Sequence, residues 1–444
     1  MKFLSEVWIG DRVQWSEYTL IDTASATYEI LYALGEGGVG SVYAAKITYI
    51  RPESLEGFTQ RRLEVGTYVA IKQQTLSDQQ TWDEVSILSA LTNAPLGCAI
   101  ASCLIDFAIR IATNTAILVI QLPNGAQDGL KITEQLQSLP RVAAVRDLRL
   151  NIIAKLFGAI AELHRLGIQH RDIKPENIIV AQSLTFDLEE MRNEWTQVVG
   201  QEVSVVFPPG TTNLQCYIDL RKNTPAELLE TIDTEAEKDF VKAVVEGLVV
   251  KLIDFGLSAI DSQSKITDGY AAAVGTPRYI DPWLIACAGD ISFYAPSSRR
   301  KKQLNERQIW QLVDIWSAGT TAYTLFWGEF LFPDTQSKTL LSKREKTILT
   351  HALSDLTPEF DEDEEPLLSV GLGSSLTSIK LFYGVLTRFG NKKLRSGRIR
   401  VSFPDELYPE DSDSIRPIAK LLAIQPRKRE KDLEKVAEKL LKKI

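Results

Sequence analysis

The sequence predicts an α+β protein in which a small sheet-rich part precedes a larger helical part. Runs rich in β-branched and aromatic residues, typical of strands, dominate residues 28–122 and flank a glycine-rich turn. An apolar stripe at helical spacing, which includes Ile152, Leu156 and Ile160, then predicts a long helix over about residues 146–166. At 444 residues, the chain is long enough for two or three domains.

The glycine-rich segment predicts a hairpin that covers phosphates. Gly35, Gly37 and Gly40 stand between strand-like runs at 28–33 and 42–49. Glycines lack a Cβ, so the backbone N–H groups around them can approach phosphate oxygens closely. The chain continues as a strand and does not open a helix, which favours this reading over a dinucleotide-binding turn.

A lysine and an acidic residue follow this hairpin. Lys72 ends a strand-like run, and its flexible ammonium needs an acidic partner to hold it in place. Glu84 is the preferred candidate, because apolar residues three, four and seven positions further on predict an amphipathic helix around it. Asp83 is the alternative, with a shorter side chain and a neighbouring helical phase.

The segment that carries the chemistry is residues 170–177, with the sequence His-Arg-Asp-Ile-Lys-Pro-Glu-Asn. Asp172, Lys174 and Asn177 place an acid, a cation and an amide at fixed offsets. Positioning a hydroxyl against a metal-bound triphosphate requires such a set. An apolar strand-like run later leads directly into Asp254, the first residue of an Asp-Phe-Gly sequence.

Together and in this order, these segments resemble those of the eukaryotic-like (Hanks-type) Ser/Thr protein kinase family. Residues 275–279 resemble the end of the family's activation segment, and residues 314–319 resemble the start of its buried helix. The resemblance implies a bilobal protein-kinase fold, with a small antiparallel-sheet N-lobe and a larger helical C-lobe. The connection at 51–66 is expected to be an exposed flap on the N-lobe. The expected layout is an N-terminal extension (1–27), an N-lobe (28–122) and a C-lobe (123–444).

The resemblance also implies a role for each site residue. Asp172 would accept the proton of the attacking hydroxyl, and Lys174 would neutralise charge on the phosphoryl group, while Asn177 and Asp254 would hold Mg²⁺. Lys174 and Thr276 resemble the Ser/Thr subgroup. The implied catalytic residues are Asp172, Lys174, Lys72, Glu84 and Thr276; the implied ATP-binding residues are Gly35, Gly37, Gly40, Val42, Ala70, Lys72, Ile120, Gln121 and Leu122; the implied metal ligands are Asn177 and Asp254. The backbone of residues 121–125 is expected to bind the adenine edge.

Two stretches are longer than the family pattern needs. Residues 182–248 separate two strands that a hairpin of about two to five residues would join, so we expect an inserted subdomain there. Its helices are predicted at 184–199 and 226–247, with a strand at 203–207. This insertion would grow from the strand ends opposite the catalytic segment, and we expect it to form a docking or regulatory surface. A smaller insertion is expected at about 284–313.

The activation segment departs from the family pattern in two places. The family's Ala-Pro-Glu is replaced by Asp-Pro-Trp, so Asp281 is the candidate to pair with Arg429 in place of the glutamate. Arg171 resembles the arginine that binds a phosphorylated residue, but the positions where that residue would lie, 271–273, are all alanine. Either the charge of Asp268 substitutes for the phosphate, or a threonine or serine just upstream is phosphorylated.

Composition limits the partners and the environment. The formal charge of −8 argues against general nucleic-acid binding, which needs a cationic face. The cysteines form no Cys-x-x-Cys pair, so we expect free thiols in a reducing cytosol and no zinc site. No apolar run approaches the ~18 residues of a membrane span, and charge interrupts the start too early for a signal peptide. We therefore expect a soluble cytoplasmic protein. The four cysteines are Cys98, Cys103, Cys216 and Cys287.

Three functions are compatible with these patterns. The leading hypothesis is an active Ser/Thr protein kinase that transfers the γ-phosphoryl group of Mg-ATP to Ser or Thr hydroxyls of a protein substrate, its own chain included. A small-molecule kinase of the same fold would lack this combination of motifs. A non-catalytic scaffold would have lost at least one of Lys72, Asp172, Asn177 and Asp254, and all four are present.

Overall fold

The computed structural model describes most of the chain up to residue 260 and shorter segments after it. Predictions for residues 264–273, for the insertion at about 284–305 and for Cys287 lie outside the described residues. The described residues are 6–9, 12–15, 20–37, 40–61, 63–76, 79–123, 125–140, 142–182, 187–208, 210–260, 275–276, 278–281, 306–331, 417–422 and 429–442.

By its internal contacts, the chain divides into two compact units, Met1–Pro123 and Asn124–Ile444. The first unit is mainly a sheet with one long helix. Its elements are β1 (Glu6–Ile9), β2 (Arg12–Trp15), β3 (Leu20–Asp22), β4 (Ala26–Gly37), β5 (Gly40–Ile50), α1 (Leu55–Gln60), β6 (Tyr68–Thr75), α2 (Gln79–Asn93), α3 (Gly97–Ile100), β7 (Leu104–Arg110) and β8 (Thr115–Gln121).

Six of these strands form one sheet in the order β3-β4-β5-β6-β8-β7, and every neighbouring pair is antiparallel. Side chains alternate between the two faces of a strand. On β6, Val69 and Ile71 therefore enter the hydrophobic core with Ile117 and Val119 of β8. The side chains between them on β6 face the other side of the sheet.

The connection between β5 and β6 is mostly exposed, as the sequence suggested, but it is not structureless and two of its side chains are buried. It forms α1 and places Phe58 (2% exposed) and Leu63 (5% exposed) in the same core as Val69 and Ile71. The guanidinium of Arg61 donates to the carbonyl oxygen of Ile105 at 2.8 Å. Length alone predicted a solvated loop, whereas two apolar side chains are enough to hold the connection against the sheet.

The second unit is mainly helical, with short strands around the catalytic segment. Its strands are β9 (Gln127–Asp128), β10 (Ile168–Gln169), β11 (Ile178–Gln182), β12 (Leu248–Leu252) and β13 (Ala259–Ile260). Its helices are α4 (Gly129–Gln137), α5 (Ala143–Arg165), α6 (Leu188–Val199), α7 (Asn213–Asn223), α8 (Ala226–Glu230), α9 (Thr234–Glu246), α10 (Glu306–Trp327) and α11 (Leu433–Leu441).

Helix α5 lies at the centre of this unit and contacts α9, α10, α11 and β12. Its apolar stripe is buried, with Leu148, Leu156 and Leu163 fully covered. Strands β12, β11 and β9 form one small sheet, while β10 pairs with β13. Among the helices that the structure describes, none is both long enough and apolar enough to cross a membrane.

Four helices, α6 to α9, fill the connection between β11 and β12, where the sequence predicted two helices and a strand. The predicted strand at 203–207 is wrong, because these residues are irregular and pair with no other strand in the described chain. The predicted helix at 226–247 is two helices. Asp233 separates them, since its carboxylate accepts the Glu235 and Ala236 backbone N–H groups and starts α9.

These helices have a core of their own. Trp195 meets Tyr217 and Phe240 edge-on, with ring centroids 5.8 and 5.3 Å apart. Buried Arg221 and Glu237 form an ion pair, and the hydroxyl of Tyr217 donates to the same carboxylate at 3.0 Å. Burial raises the pKa of Glu237 above its ordinary value, while the neighbouring guanidinium opposes that shift.

The expectation of free thiols is wrong for two of the cysteines. Cys98 and Cys103 form a disulfide across the single turn of α3, with their Cα atoms 5.3 Å apart. A spacing of five residues carries no recognised pattern, and the turn that brings the thiols together depends on the fold. Cys216 is a free and buried thiol, as expected, and burial raises its pKa to about 12.

Candidate active site

In the first unit, the predicted nucleotide-binding side chains share one face of the sheet. Lys72 lies directly opposite Val42 of β5 and Ala70 lies directly opposite Ile120 of β8. Directly opposed residues project to the same side, and so do residues two apart on one strand. The four side chains therefore lie together on the face away from the Val69 core.

Lys72 and Glu84 form a buried ion pair on this face. The Nζ of Lys72 donates to both carboxylate oxygens of Glu84, at 2.7 and 2.9 Å. The two residues are 8% and 1% exposed. Glu84 also accepts from Gln74, whose Nε2 lies 3.0 Å from its Oε2. No sequence motif pointed to Gln74; only its position two residues after Lys72 could have done so.

The glycine hairpin is formed by the ends of β4 and β5. Gly35 pairs with Val42 and Gly37 pairs with Gly40. A Cβ on Gly40 would lie 2.0 Å from the carbonyl oxygen of Gln73, so this position accepts only glycine without a backbone shift. A Cβ on Gly35 would meet nothing within 4 Å. The steric constraint on this hairpin therefore lies at Gly40.

The end of β8 offers fewer backbone donors than the sequence suggested. The backbone N–H of Gln121 donates to the carbonyl oxygen of Cys103 at 2.8 Å, and Pro123 has no N–H. Neither Gln121 nor Pro123 can therefore donate a backbone N–H to an adenine edge. Leu122 is left as the residue in 121–123 whose N–H could serve.

In the second unit, the structure brings together four of the predicted site residues. The Oδ1 of Asp172 accepts the backbone N–H of Thr276 at 2.7 Å, and its Oδ2 accepts from Lys174 at 3.0 Å and from Asn177 at 2.9 Å. Lys174 also donates to the hydroxyl of Thr276 at 2.8 Å. Three donors thus hold the carboxylate of Asp172. One of them is the ammonium of Lys174, which its bond to Thr276 also keeps in place.

The backbone of this loop is anchored by Asp314 of α10. Its two oxygens accept the backbone N–H groups of His170 and Arg171, at 2.9 and 2.8 Å, and His164 contacts it at 2.9 Å. Asp314 is fully buried. Arg171 has a φ of +66°, an uncommon conformation for a non-glycine residue that the two bonds to Asp314 help to hold. Its guanidinium lies 4.1 Å from the ring centroid of buried Trp310.

The two predicted metal ligands lie at the same ends of β11 and β12. The N–H of Ile253, next to Asp254, donates to the carbonyl oxygen of Asn177 at 3.0 Å. Both side-chain N–H groups of Asn177 are directed to Asp172, which leaves its Oδ1 as the free ligand atom. Asp254 is exposed and has a φ of +62°. An amide oxygen and a carboxylate are donors that suit a hard cation such as Mg²⁺.

Asp281 and Arg429 form a bidentate ion pair with no exposed surface. The guanidinium donates to Oδ2 and Oδ1 of Asp281, at 2.5 and 2.7 Å, and also to the carbonyl oxygen of Leu312 at 2.7 Å. It lies over the ring of Trp316, 5.1 Å from the centroid. Asp281 thus provides the carboxylate that the sequence lacks two positions later.

The comparisons with known proteins agree with this arrangement. A family model described as "Protein kinase domain" matches residues 240–441. Protein kinase gsk31 of Schizosaccharomyces pombe is 27% identical over 158 residues, which are 35% of this chain and 35% of that protein. A probable cyclin-dependent serine/threonine-protein kinase of Dictyostelium discoideum is 28% identical over 153 residues, which are 34% of this chain and 20% of that protein. The aligned part thus spans about a third and a fifth of these relatives. These matches support the eukaryotic-like Ser/Thr protein kinase family for this chain.

Proposed function

We propose that the protein is an ATP-dependent Ser/Thr protein kinase that transfers the γ-phosphoryl group of Mg-ATP to a Ser or Thr hydroxyl of a protein, its own chain included. The observation that carries this proposal is the arrangement around Asp172. One carboxylate is oriented by Asn177, Lys174 and Thr276, and the ammonium of Lys174 lies 3.0 Å from it. A general base beside a fixed cation is the set that phosphoryl transfer to a hydroxyl requires.

In the proposed reaction, the substrate hydroxyl oxygen bonds to the γ-phosphorus while the bond to the β,γ-bridging oxygen breaks, and ADP leaves. Asp172 takes the hydroxyl proton. Lys174 stabilises the charge on the transferring group, and its bond to Thr276 keeps it in place. Mg²⁺, when bound, neutralises charge on the β- and γ-phosphates, and Asn177 and Asp254 would hold it.

In the first unit, Lys72 would bind the α- and β-phosphates, and Glu84 would hold its ammonium in place. Val42, Ala70 and Ile120 would contact the adenine and ribose, because they share a sheet face with Lys72. The remaining nucleotide-binding residues of the proposal are Gly35, Gly37, Gly40, Gln121 and Leu122. Their role is backbone contact, except that Gln121 can contribute no N–H.

The helices between β11 and β12 are proposed to be an inserted subdomain that docks a regulatory or substrate protein. Residues 178 and 252 pair at the end of these strands next to the catalytic segment, and residues 182 and 248 pair at the other end. Four residues of strand separate the two ends by about 13 Å. In this region Val206 is 90% exposed. Val206→Asp should therefore slow phosphorylation of a bound partner and leave autophosphorylation unchanged; an equal loss of both would contradict the docking role.

The proposal also includes an N-lobe that ends at residue 122, a C-lobe at 123–444 and a cytoplasmic location. The extension expected at 1–27 is shorter than that, because β3 (Leu20–Asp22) and the start of β4 at Ala26 belong to the sheet of the first unit. The purified protein is incubated with Mg-ATP, alone and with lysate proteins. Mass spectrometry should then detect phosphoryl groups added to the protein itself and to lysate proteins. Asp172→Asn should lower the rate by about 10²–10⁴ while Mg-ATP still binds. Asp239→Asn, at an exposed position of α9, is the matched control and should change neither.

The same experiment separates the alternatives. ATP consumption without phosphoprotein, and with phosphorylated small molecules, would indicate a small-molecule kinase. Binding of Mg-ATP without any transfer would indicate a scaffold. Near-normal transfer by the Asp172→Asn variant would show that the base is wrongly assigned.

A further inference from the structure

Gln74 makes a buried contact that no sequence pattern assigns. Its side-chain Nε2 donates to Oε2 of Glu84 at 3.0 Å, and the two residues are 3% and 1% exposed. Lys72 donates to both oxygens of the same carboxylate, at 2.7 and 2.9 Å. Glu84 is therefore held by an ammonium and, separately, by an amide.

The pairing of these three residues follows from the strand. Lys72 and Gln74 are two positions apart on β6, so their side chains project from the same face, about 6–7 Å apart along the strand. Glu84 on α2 reaches both of them. A buried carboxylate requires donors to replace its lost hydration, and Gln74 provides one that carries no charge.

Folding alone gives little reason for an amide at this position. The Oε1 of Gln74 is buried and has no hydrogen-bond partner among the residues that the structure describes. An acceptor left in that state destabilises the folded protein, and an apolar side chain of similar length, such as methionine, would avoid the cost. What the glutamine adds is the bond to Glu84.

We infer that Gln74 is a positioning residue, which keeps Glu84 docked on β6 and thereby holds Lys72 where it binds the nucleotide. The inference rests on the proposed function, because it assigns Lys72 to the phosphates. Lys72 must share its three N–H donors between Glu84 and the phosphates. Gln74 continues to hold Glu84 when Lys72 turns part of its ammonium toward ATP.

The test is the Gln74→Met variant, which keeps the length of the side chain and removes the donor. We expect the KM for ATP to rise about tenfold, the size of effect that loss of one hydrogen bond to a charged group produces, with little change in the KM for the protein substrate. Gln73→Met is the matched control. Gln73 is its neighbour on the opposite face and makes no side-chain hydrogen bond in the described part of the chain. It should leave both constants unchanged.

A second measurement asks whether Gln74 acts through Glu84. In a Glu84→Ala background, which removes the acceptor, Gln74→Met should cause no further loss of affinity for Mg-ATP. An equal loss in both backgrounds, or a lower Tm with an unchanged KM, would show that Gln74 only supports the fold and would overturn the inference.

Calorimetric binding of Mg-ATP to the Asp172→Asn protein separates this inference from the proposed function, since that measurement needs no turnover. If Gln74→Met weakens Mg-ATP binding to the Asp172→Asn protein, and the protein with its native Asp172 transfers no phosphate, the proposed activity fails and the positioning role stands. If neither protein binds Mg-ATP, the positioning role is overturned as well.

Discussion

Replacing Asp281 by asparagine should destabilise the second unit strongly. Asp281 and Arg429 are both 0% exposed at their side chains, and two hydrogen bonds, at 2.5 and 2.7 Å, join them. The variant keeps the shape of the side chain but leaves a buried guanidinium without its counter-charge. Breaking one partner of a buried pair costs about 3–5 kcal/mol. For a unit that spans residues 124–444, with about 2.1 cal/mol/K of unfolding entropy per residue, such a loss corresponds to a Tm lower by about 4–7 °C in differential scanning calorimetry.

An exposed pair in the same unit provides the control. Arg165 and Glu434 also form an ion pair, but their side chains are 57% and 54% exposed, so Glu434→Gln should cost less than about 1 kcal/mol. The double variant Asp281→Leu with Arg429→Met should recover most of the lost stability, since apolar residues avoid the desolvation of both charges. If Asp281→Asn lowers the Tm no more than Glu434→Gln, the buried pair does not stabilise the protein in the way argued.

Two further predictions concern the cysteines and the catalytic loop. In unfolded protein without reductant, a thiol reagent should label Cys216 and leave Cys98 and Cys103 unlabelled; peptide mass spectrometry that finds either of them modified would contradict the disulfide. Because burial raises the pKa of Cys216 to about 12, its labelling in the folded protein should be slow at pH 8 and rise about tenfold per pH unit up to that pKa, and fast labelling at pH 8 would be inconsistent with burial. Trp310→Leu removes the ring under the guanidinium of Arg171, a contact of about 0.5–2 kcal/mol, and should lower kcat several-fold with unchanged affinity for Mg-ATP. Protein prepared with a phosphatase should be active from its first turnovers, and a lag that preincubation with ATP abolishes would contradict this expectation.

Local patterns were sufficient for much of the fold and for the family. Strand-like runs predicted strands of the first unit, and the apolar stripe around Leu156 predicted α5, which the structure extends to Ala143–Arg165. Periodicity works for these elements because their burial is regular along the chain. The family prediction is supported by the match to the protein kinase model and by the two relatives.

The predictions from sequence that the structure corrects have a common physical cause. Residues 203–207 have high β-propensity, but within the described chain no strand pairs with them, and propensity without a partner does not make a strand. Phe58 and Leu63 are two apolar side chains in a polar connection, and their burial depends on the sheet face that they meet. The disulfide depends on the turn of α3. In each case a distant or irregular contact decided the outcome.

The candidate site shows the same contrast between its two sets of residues. Lys72 and Glu84 are 12 positions apart, and strand alternation with helical phase was enough to propose their contact. The position of Asp172 depends on longer separations: Thr276 is 104 residues from it in the chain, and Asp314 is 144 residues from His170, whose backbone it binds. The motif around Asp172 identifies the chemical groups, but contacts from remote segments orient them. The geometry of the proposed base is therefore a property of the folded second unit, and the eight-residue motif by itself does not determine it.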